Sequence, residues 1–185
     1  INKGAQFKIG LLPLVVAKCK EFGYKVKVID TRPKLELPKK PVTKIAQFDL
    51  REEQIQAVSS ILYNKVGNIP FHIGVIDYTV NAGKTAVMVA LYLSFKRKLK
   101  TLLITNDSDW LNQAKREFKD YLPDEQVTFV QGSKVDNWSN FSIGMIQSLS
   151  RNVKKYQREL TKIDMVLVDE ADLAGSKSYQ TVLTH

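Results

Sequence analysis

Gly83, Lys84 and Thr85 follow directly on Asp77-Tyr78-Thr79-Val80-Asn81-Ala82, and Asp169-Glu170 follow directly on Met165-Val166-Leu167-Val168. An ammonium beside a hydroxyl at a helix start suits phosphate and a phosphate-bound cation. Two adjacent carboxylates at a strand end suit the other half of the same task. One can hold a hydrated divalent cation, and the other can orient or deprotonate an attacking water. Together these residues predict ATP and Mg2+ as ligands. Lys84 would lie on the β and γ oxygens, with Asn81, Ala82 and Gly83 wrapping the phosphates through backbone N–H groups. Thr85 and Asp169 would hold magnesium, and Lys84, Asp169 and Glu170 would carry the catalysis. The loop departs from the usual pattern at one place, because Tyr78 occupies the position six before the lysine where a small residue is common.

Such a site needs a particular scaffold. Leu50 to Tyr63 carries apolar residues at Ile55, Val58, Ile61 and Leu62, one face of a helix. Apolar strand-like runs then alternate with helical stretches. Strands are expected over 71–77, 101–105, 126–130, 141–146 and 163–168, and helices over 83–95 and 108–121. Short apolar strands separated by helices predict a parallel sheet with helices on both faces. The carboxyl ends of its strands, where Lys84 and Asp169 would emerge, form the ligand-binding edge of such a sheet.

The first quarter of the chain differs. Residues 1–47 contain 11 Lys/Arg against 3 Asp/Glu, whereas 48–185 contain 17 against 16, so nearly all of the net charge of +9 lies at the front. A concentrated positive field attracts polyanions, nucleic acid first among them. Residues 11–22 read as a helix ended by Gly23, and 24–29 alternate apolar and basic residues as a half-exposed strand does. Pro33, Pro38 and Pro41 make 31–42 an extended linker. We therefore expect a small basic α+β module and linker over 1–47, with a possible role in DNA recognition, and a larger α/β domain over 48–185.

No stretch approaches the ~20 apolar residues of a membrane span. The run from Ile9 to Ala17 is broken by Pro13 and followed by Lys18 and Lys20, unlike a signal peptide. Cys19 stands alone and reads as a small buried apolar residue. His72 and His185 lack metal-ligand spacing, and Trp110 and Trp138 read as packing residues rather than base-stacking platforms. The expectation is a cytoplasmic protein.

The Gly-Lys-Thr and Asp-Glu-Ala-Asp segments, with their surroundings, resemble the first RecA-like domain of superfamily 2 DNA helicases. They look most like the phage branched-DNA helicases of the UvsW type, with RecG and XPB more distant. Leu50-Arg51-Glu52-Glu53-Gln54 resembles the segment whose glutamine reads adenine, which implies nucleotide-binding roles for Arg51 and Gln54; Glu53 stands where an aromatic is usual. Leu102 through Gln113 resembles a strand–loop–helix that touches the DNA backbone, which implies Thr105 and Asn106 as contacts. Gln131-Gly132-Ser133-Lys134 resembles a strand-binding turn, and Met145-Ile146-Gln147-Ser148-Leu149 a further contact. The implied DNA-binding residues are therefore Thr105, Asn106, Gly132, Ser133, Lys134, Gln147 and Ser148, with Asp172 coupling the two sites.

The four-letter run ending at Asp172 also occurs in RNA helicases, but their other signatures are missing. Leu173-Ala174-Gly175-Ser176-Lys177 is similar to the phage DNA enzymes instead. The resemblance implies a monomeric ATP-dependent helicase acting on branched or junction DNA in replication, recombination and repair, in host cytoplasm if phage-encoded. A second RecA-like domain in the same protein would complete the ATP cleft. The chain begins at Ile1 and ends at His185 before a Ser-Ala-Thr-like motif, so it reads as the amino-terminal portion of a longer, otherwise poorly hydrolysing enzyme. Two other readings share these residues: a DNA-translocating ATPase subunit of a restriction or nuclease system, and a nucleic-acid-binding module with a vestigial ATP site.

Overall fold

The structure is a computed structural model. It describes residues 7–32, 35–67, 69–78, 83–133, 135 and 137–184. Asn81, Ala82, Lys134 and His185 lie outside the described residues, as does Pro33 of the expected linker.

Four strands, β5 (Thr101–Thr105), β6 (Val127–Val130), β7 (Phe141–Met145) and β8 (Met165–Val168), form one parallel sheet in the order β6-β7-β5-β8. Leu103 sits opposite both Ile143 and Leu167 in the ladders. Every residue of β5 is buried. Its side chains alternate between two cores, as a strand covered on both faces requires. Leu103 joins Phe141 and Ile143 beneath α2 (Glu52–Leu62), α3 (Lys84–Ser94) and α4 (Ser108–Tyr121). Leu102 and Ile104 join Val130 against α5 (Ile146–Arg151), α6 (Val153–Leu160) and α7 (Lys177–Leu183). The expected α/β sheet with helices on both faces is therefore present.

The helices explain their own positions. α3 buries Ala86, Val87, Val89, Ala90, Leu91 and Tyr92, nearly its whole circumference, and is the central helix of the first core. α4 buries one stripe, Leu111, Ala114 and Phe118. It is capped by Asp107, whose carboxylate accepts the N–H groups of Asp109 at 2.7 Å and Trp110 at 3.2 Å. Trp110 packs at the margin of the first core, and Trp138 is buried against Tyr156 in the second.

Two expected strands differ. Residues 24–29 and 71–78 are extended but carry no ladder. Alternating or apolar sequence favours an extended chain, but a strand also needs a partner edge at the right place. Around them, two antiparallel hairpins form instead, β1 (Lys44–Ile45) with β2 (Phe48–Asp49), and β3 (Lys65–Val66) with β4 (Ile69–Pro70).

At the front, α1 (Leu12–Glu21) ends as expected before Gly23, whose φ of +79° suits the left-handed turn. Cys19 on this helix is half-buried rather than buried. Val16 meets Val66 and Phe71 in a third, small cluster with Leu12 and Val28. The proline-rich stretch is extended yet docked. Leu37 and Val42 pack on the main core, Ile45 is fully buried within it, and the Val42 N–H donates to Ser94 Oγ at 3.2 Å.

Candidate nucleotide site and nucleic-acid edge

All four sheet strands run the same way, so their carboxyl ends share one margin. The loops after Thr105, Val130, Met145 and Val168 leave from it. Of the residues singled out in the sequence, Asn106, Gly132, Ser133, Gln147, Ser148, Asp169, Glu170 and Asp172 follow these strand ends, and Gly83, Lys84 and Thr85 open α3.

Gly83 turns the chain into α3 with a φ of +80°. Any Cβ there would collide with the Gln54 side-chain amide. Gln54 is buried at the start of α2. Its Oε1 accepts the Arg51 N–H at 3.0 Å, and its Nε2 donates to the Gly83 carbonyl at 3.5 Å. Gln54 is thus in direct contact with the residue before Lys84. Arg51 pairs with Glu53 at 3.2 Å, both side chains about half exposed. Tyr78 is the last described residue before Gly83. Its hydroxyl donates to the Glu53 carbonyl, which ties the stretch entering the loop to the first turn of α2.

Asp169 continues the β8 ladder, its N–H donating to the Ile104 carbonyl at 2.9 Å. Burial raises the Asp169 carboxyl above its ordinary pKa, and the negative charge of Glu170 adds to this. The ammonium of Lys84 acts in the opposite direction. Lys84, at the start of α3, is thus close enough for its charge to act on the Asp169 carboxyl at the end of β8. Glu170, exposed, takes the left-handed conformation with φ 56° and opens the 3-10 turn Ala171–Gly175 that carries exposed Asp172. Thr85 is half-buried in the first turn of α3, which holds no acidic residue to compete with an anion. This donor set fits a magnesium nucleotide: Lys84 and the α3 N-terminus for phosphate, Thr85 and Asp169 for the metal. Bound Mg2+ would neutralise charge on the transferring phosphoryl group.

One residue here was not anticipated. Tyr179 of α7 is buried, and among the described residues its hydroxyl has no hydrogen-bond partner. Burial first, then the charges of Asp169, Glu170 and Asp172, raise its phenol pKa, so it lies beside the acidic loop. Only a tyrosine at helical spacing marked it in the sequence.

The expected nucleic-acid contacts are linked to one another. Gln147 Nε2 donates to the Asn106 carbonyl at 3.4 Å. The Gly132 N–H donates to Ser148 Oγ at 2.8 Å, and the Gly132 carbonyl accepts the Tyr156 hydroxyl at 2.8 Å. Lys155 donates to the Ser133 carbonyl. Two roles change as a result. Thr105 is fully buried and its hydroxyl accepts the Asp107 N–H at 3.2 Å, so it orders the loop instead of meeting a phosphate. The Gly132 N–H is already engaged, so this turn offers Ser133 rather than that amide. Gln147 and Ser133 are exposed; Asn106 and Ser148 are half-buried.

A phosphate loop opening onto a buried helix, acids at the end of a neighbouring parallel strand, and a margin of polar loops beside them define a helicase-type ATPase domain. Residues 47–185 match the family described as "Type III restriction enzyme, res subunit", and the chain belongs to it. A stretch of 110 residues, 59% of the chain, is 29% identical to L396 of Acanthamoeba polyphaga mimivirus, whose name describes an ATP-dependent RNA helicase. The chain spans about a fifth of that protein's length, 20%. No helix among the described residues is long and apolar enough to cross a membrane.

Proposed function

We propose that this chain is the nucleotide-binding portion of an ATP-driven DNA helicase or branch-migration motor of the UvsW type, acting on branched or junction DNA. The observation that carries the reading is the placement of Lys84 at the start of α3 and of Asp169 at the end of β8, within electrostatic reach of each other, beside the linked segments of Asn106, Gly132, Gln147 and Ser148. A nucleotide there would be felt by a strand lying across those segments, because Asp107, next to Asn106, acts electrostatically on Asp169.

In this reading Lys84 binds the phosphates, Thr85 and Asp169 hold magnesium, and Glu170 orients the attacking water. Gln54 and Arg51 address the base, with Asp172 as the coupling residue. A second RecA-like domain of the same protein supplies an arginine finger, a group worth about 10³–10⁵ in rate, so this portion alone turns over slowly. The working unit is a monomer in the cytoplasm.

Two observations favour sister readings with the same motor. The relative's name and the Asp169–Asp172 run favour RNA as the strand. The family's description favours a translocating subunit of a restriction system. ATPase activity of the full-length protein with forked DNA, single-stranded DNA and RNA separates the strands. Lys84→Ala is expected to abolish magnesium-dependent nucleotide binding. Glu170→Gln is expected to keep binding and lose turnover; undiminished turnover in that variant removes Glu170 from the water-activating role. Nucleotide affinity indifferent to magnesium would instead mark a vestigial site.

A further inference from the structure

α6 was not among the contacts expected from the motifs, yet it lies directly against one of them. Its buried side consists of Tyr156, Glu159 and Leu160. Its solvent side bears Lys155 and Arg158, one helical face at i and i+3, and Lys162 follows in the turn after the helix. With Val135 and Asn137 this face lines a cleft of about 160 Å³ that also reaches Tyr156 and Glu159.

The cleft starts at the strand-binding turn, where Lys155 bonds the Ser133 carbonyl and Tyr156 the Gly132 carbonyl. Its lining residue Glu159 is bonded to Lys100, which precedes β5. The acid in the cleft is neutralised from two sides: Glu159 pairs with Lys100 and Lys162, each at 2.6 Å, and these contacts hold its carboxyl below the usual pKa. The other charged residues described in the lining, Lys155 and Arg158, are basic. α6 is about 12 Å long at 1.5 Å per residue, which matches about three nucleotides of strand at 3.4 Å each.

We propose that the α6 cleft, through Lys155, Arg158, Lys162 and Asn137, is a second nucleic-acid site that grips the phosphodiester backbone of a single strand leaving the Gly132–Ser133 turn. The proposal rests on the nucleic-acid motor reading and adds an exit track to it. The contacts are to phosphate, so the track is independent of base sequence and serves DNA and RNA alike.

The test is the salt dependence of oligonucleotide binding by the protein without nucleotide, using single-stranded DNA and RNA of mixed sequence. Each lost phosphate contact on a single strand lowers the slope of log affinity against log salt by about 0.7. Arg158→Gln is expected to lower it by about 0.7, and Lys155→Gln with Arg158→Gln by about 1.4, with Arg158→Lys restoring the first loss. Arg116→Gln with Lys119→Gln, on α4 against the opposite sheet face, reports the effect of removing charge elsewhere. Nucleotide affinity and the thermal midpoint check that the fold is retained. A slope unchanged in the α6 variants, or lowered equally by the α4 pair, overturns the track while leaving the motor reading intact. A wild-type protein that binds neither strand at low salt overturns both.

Discussion

Gly83 is held as glycine by two independent constraints, a left-handed backbone and the Gln54 amide packed where a side chain would begin. Gly83→Ala is therefore expected to cost about 1–2 kcal/mol from the backbone alone, plus the displacement of Gln54. Because Gln54 also anchors the Arg51 N–H, the change should loosen the adenine side of the pocket. Chemical denaturation with nucleotide titration checks this, and a variant with wild-type stability and affinity contradicts it. Lys84, Thr85, Asp169 and Glu170 could be singled out as candidates in the sequence because the chemistry proposed for them depends on residue type and local spacing. Tyr179 was not, since only folding brings α7 beside the acidic loop. Thr105 was misjudged for the same reason: a hydroxyl at a strand end faces phosphate or backbone according to the turn that follows, and Asp107 takes it inward.

Among the elements, β5 and α4 match their sequence boundaries, Thr101–Thr105 and Ser108–Tyr121, because an apolar run and an Asp cap punctuate them sharply. The stretches 24–29 and 71–77 look equally strand-like but form no strand ladder among the described residues, since pairing depends on a distant edge that no local pattern encodes. At this scale Glu159 is the point to probe, for it joins α6 to the residue preceding β5 through Lys100 and to Lys162. Its carboxyl pKa is depressed in the fold, so its stabilisation is full above the unfolded value of about 4.3 and is lost as pH falls through the folded one. Glu159→Gln is expected to destabilise by about 1 kcal/mol near neutrality. The gap from wild type should shrink between pH 5 and pH 3, on the order of the range set by these carboxyl values. Denaturant midpoints across that range give the answer, and a gap that widens toward acid refutes it.

For the molecule as a whole, the asymmetry of charge is the largest feature visible in composition. Residues 1–47 hold 11 basic side chains against 3 acidic, and Lys20, Lys25 and Lys27 are all exposed. Removing residues 1–47 would be a poor test of that field, because Ile45, Val42 and Leu37 belong to the main core and losing a buried isoleucine alone costs about 2–5 kcal/mol. Replacing Lys20, Lys25 and Lys27 by Gln leaves the core intact. If the front module holds duplex DNA, this should flatten the salt dependence by about 2–3 in slope, at roughly 0.9 per contact. An unchanged slope takes the module out of DNA binding.

β8 has a neighbour on one flank only, β5, among the described residues, and Val166 in its middle is 42% exposed. Far earlier in the chain, the run from Phe71 to Ile76 leaves Val75 79% exposed and carries no ladder among the described residues. An unpartnered strand flank and an exposed β-prone run give the molecule an adhesive surface. Concentrated protein should cluster through it, and Val75→Lys should suppress the aggregates seen by light scattering; clustering that persists undiminished would locate the stickiness elsewhere.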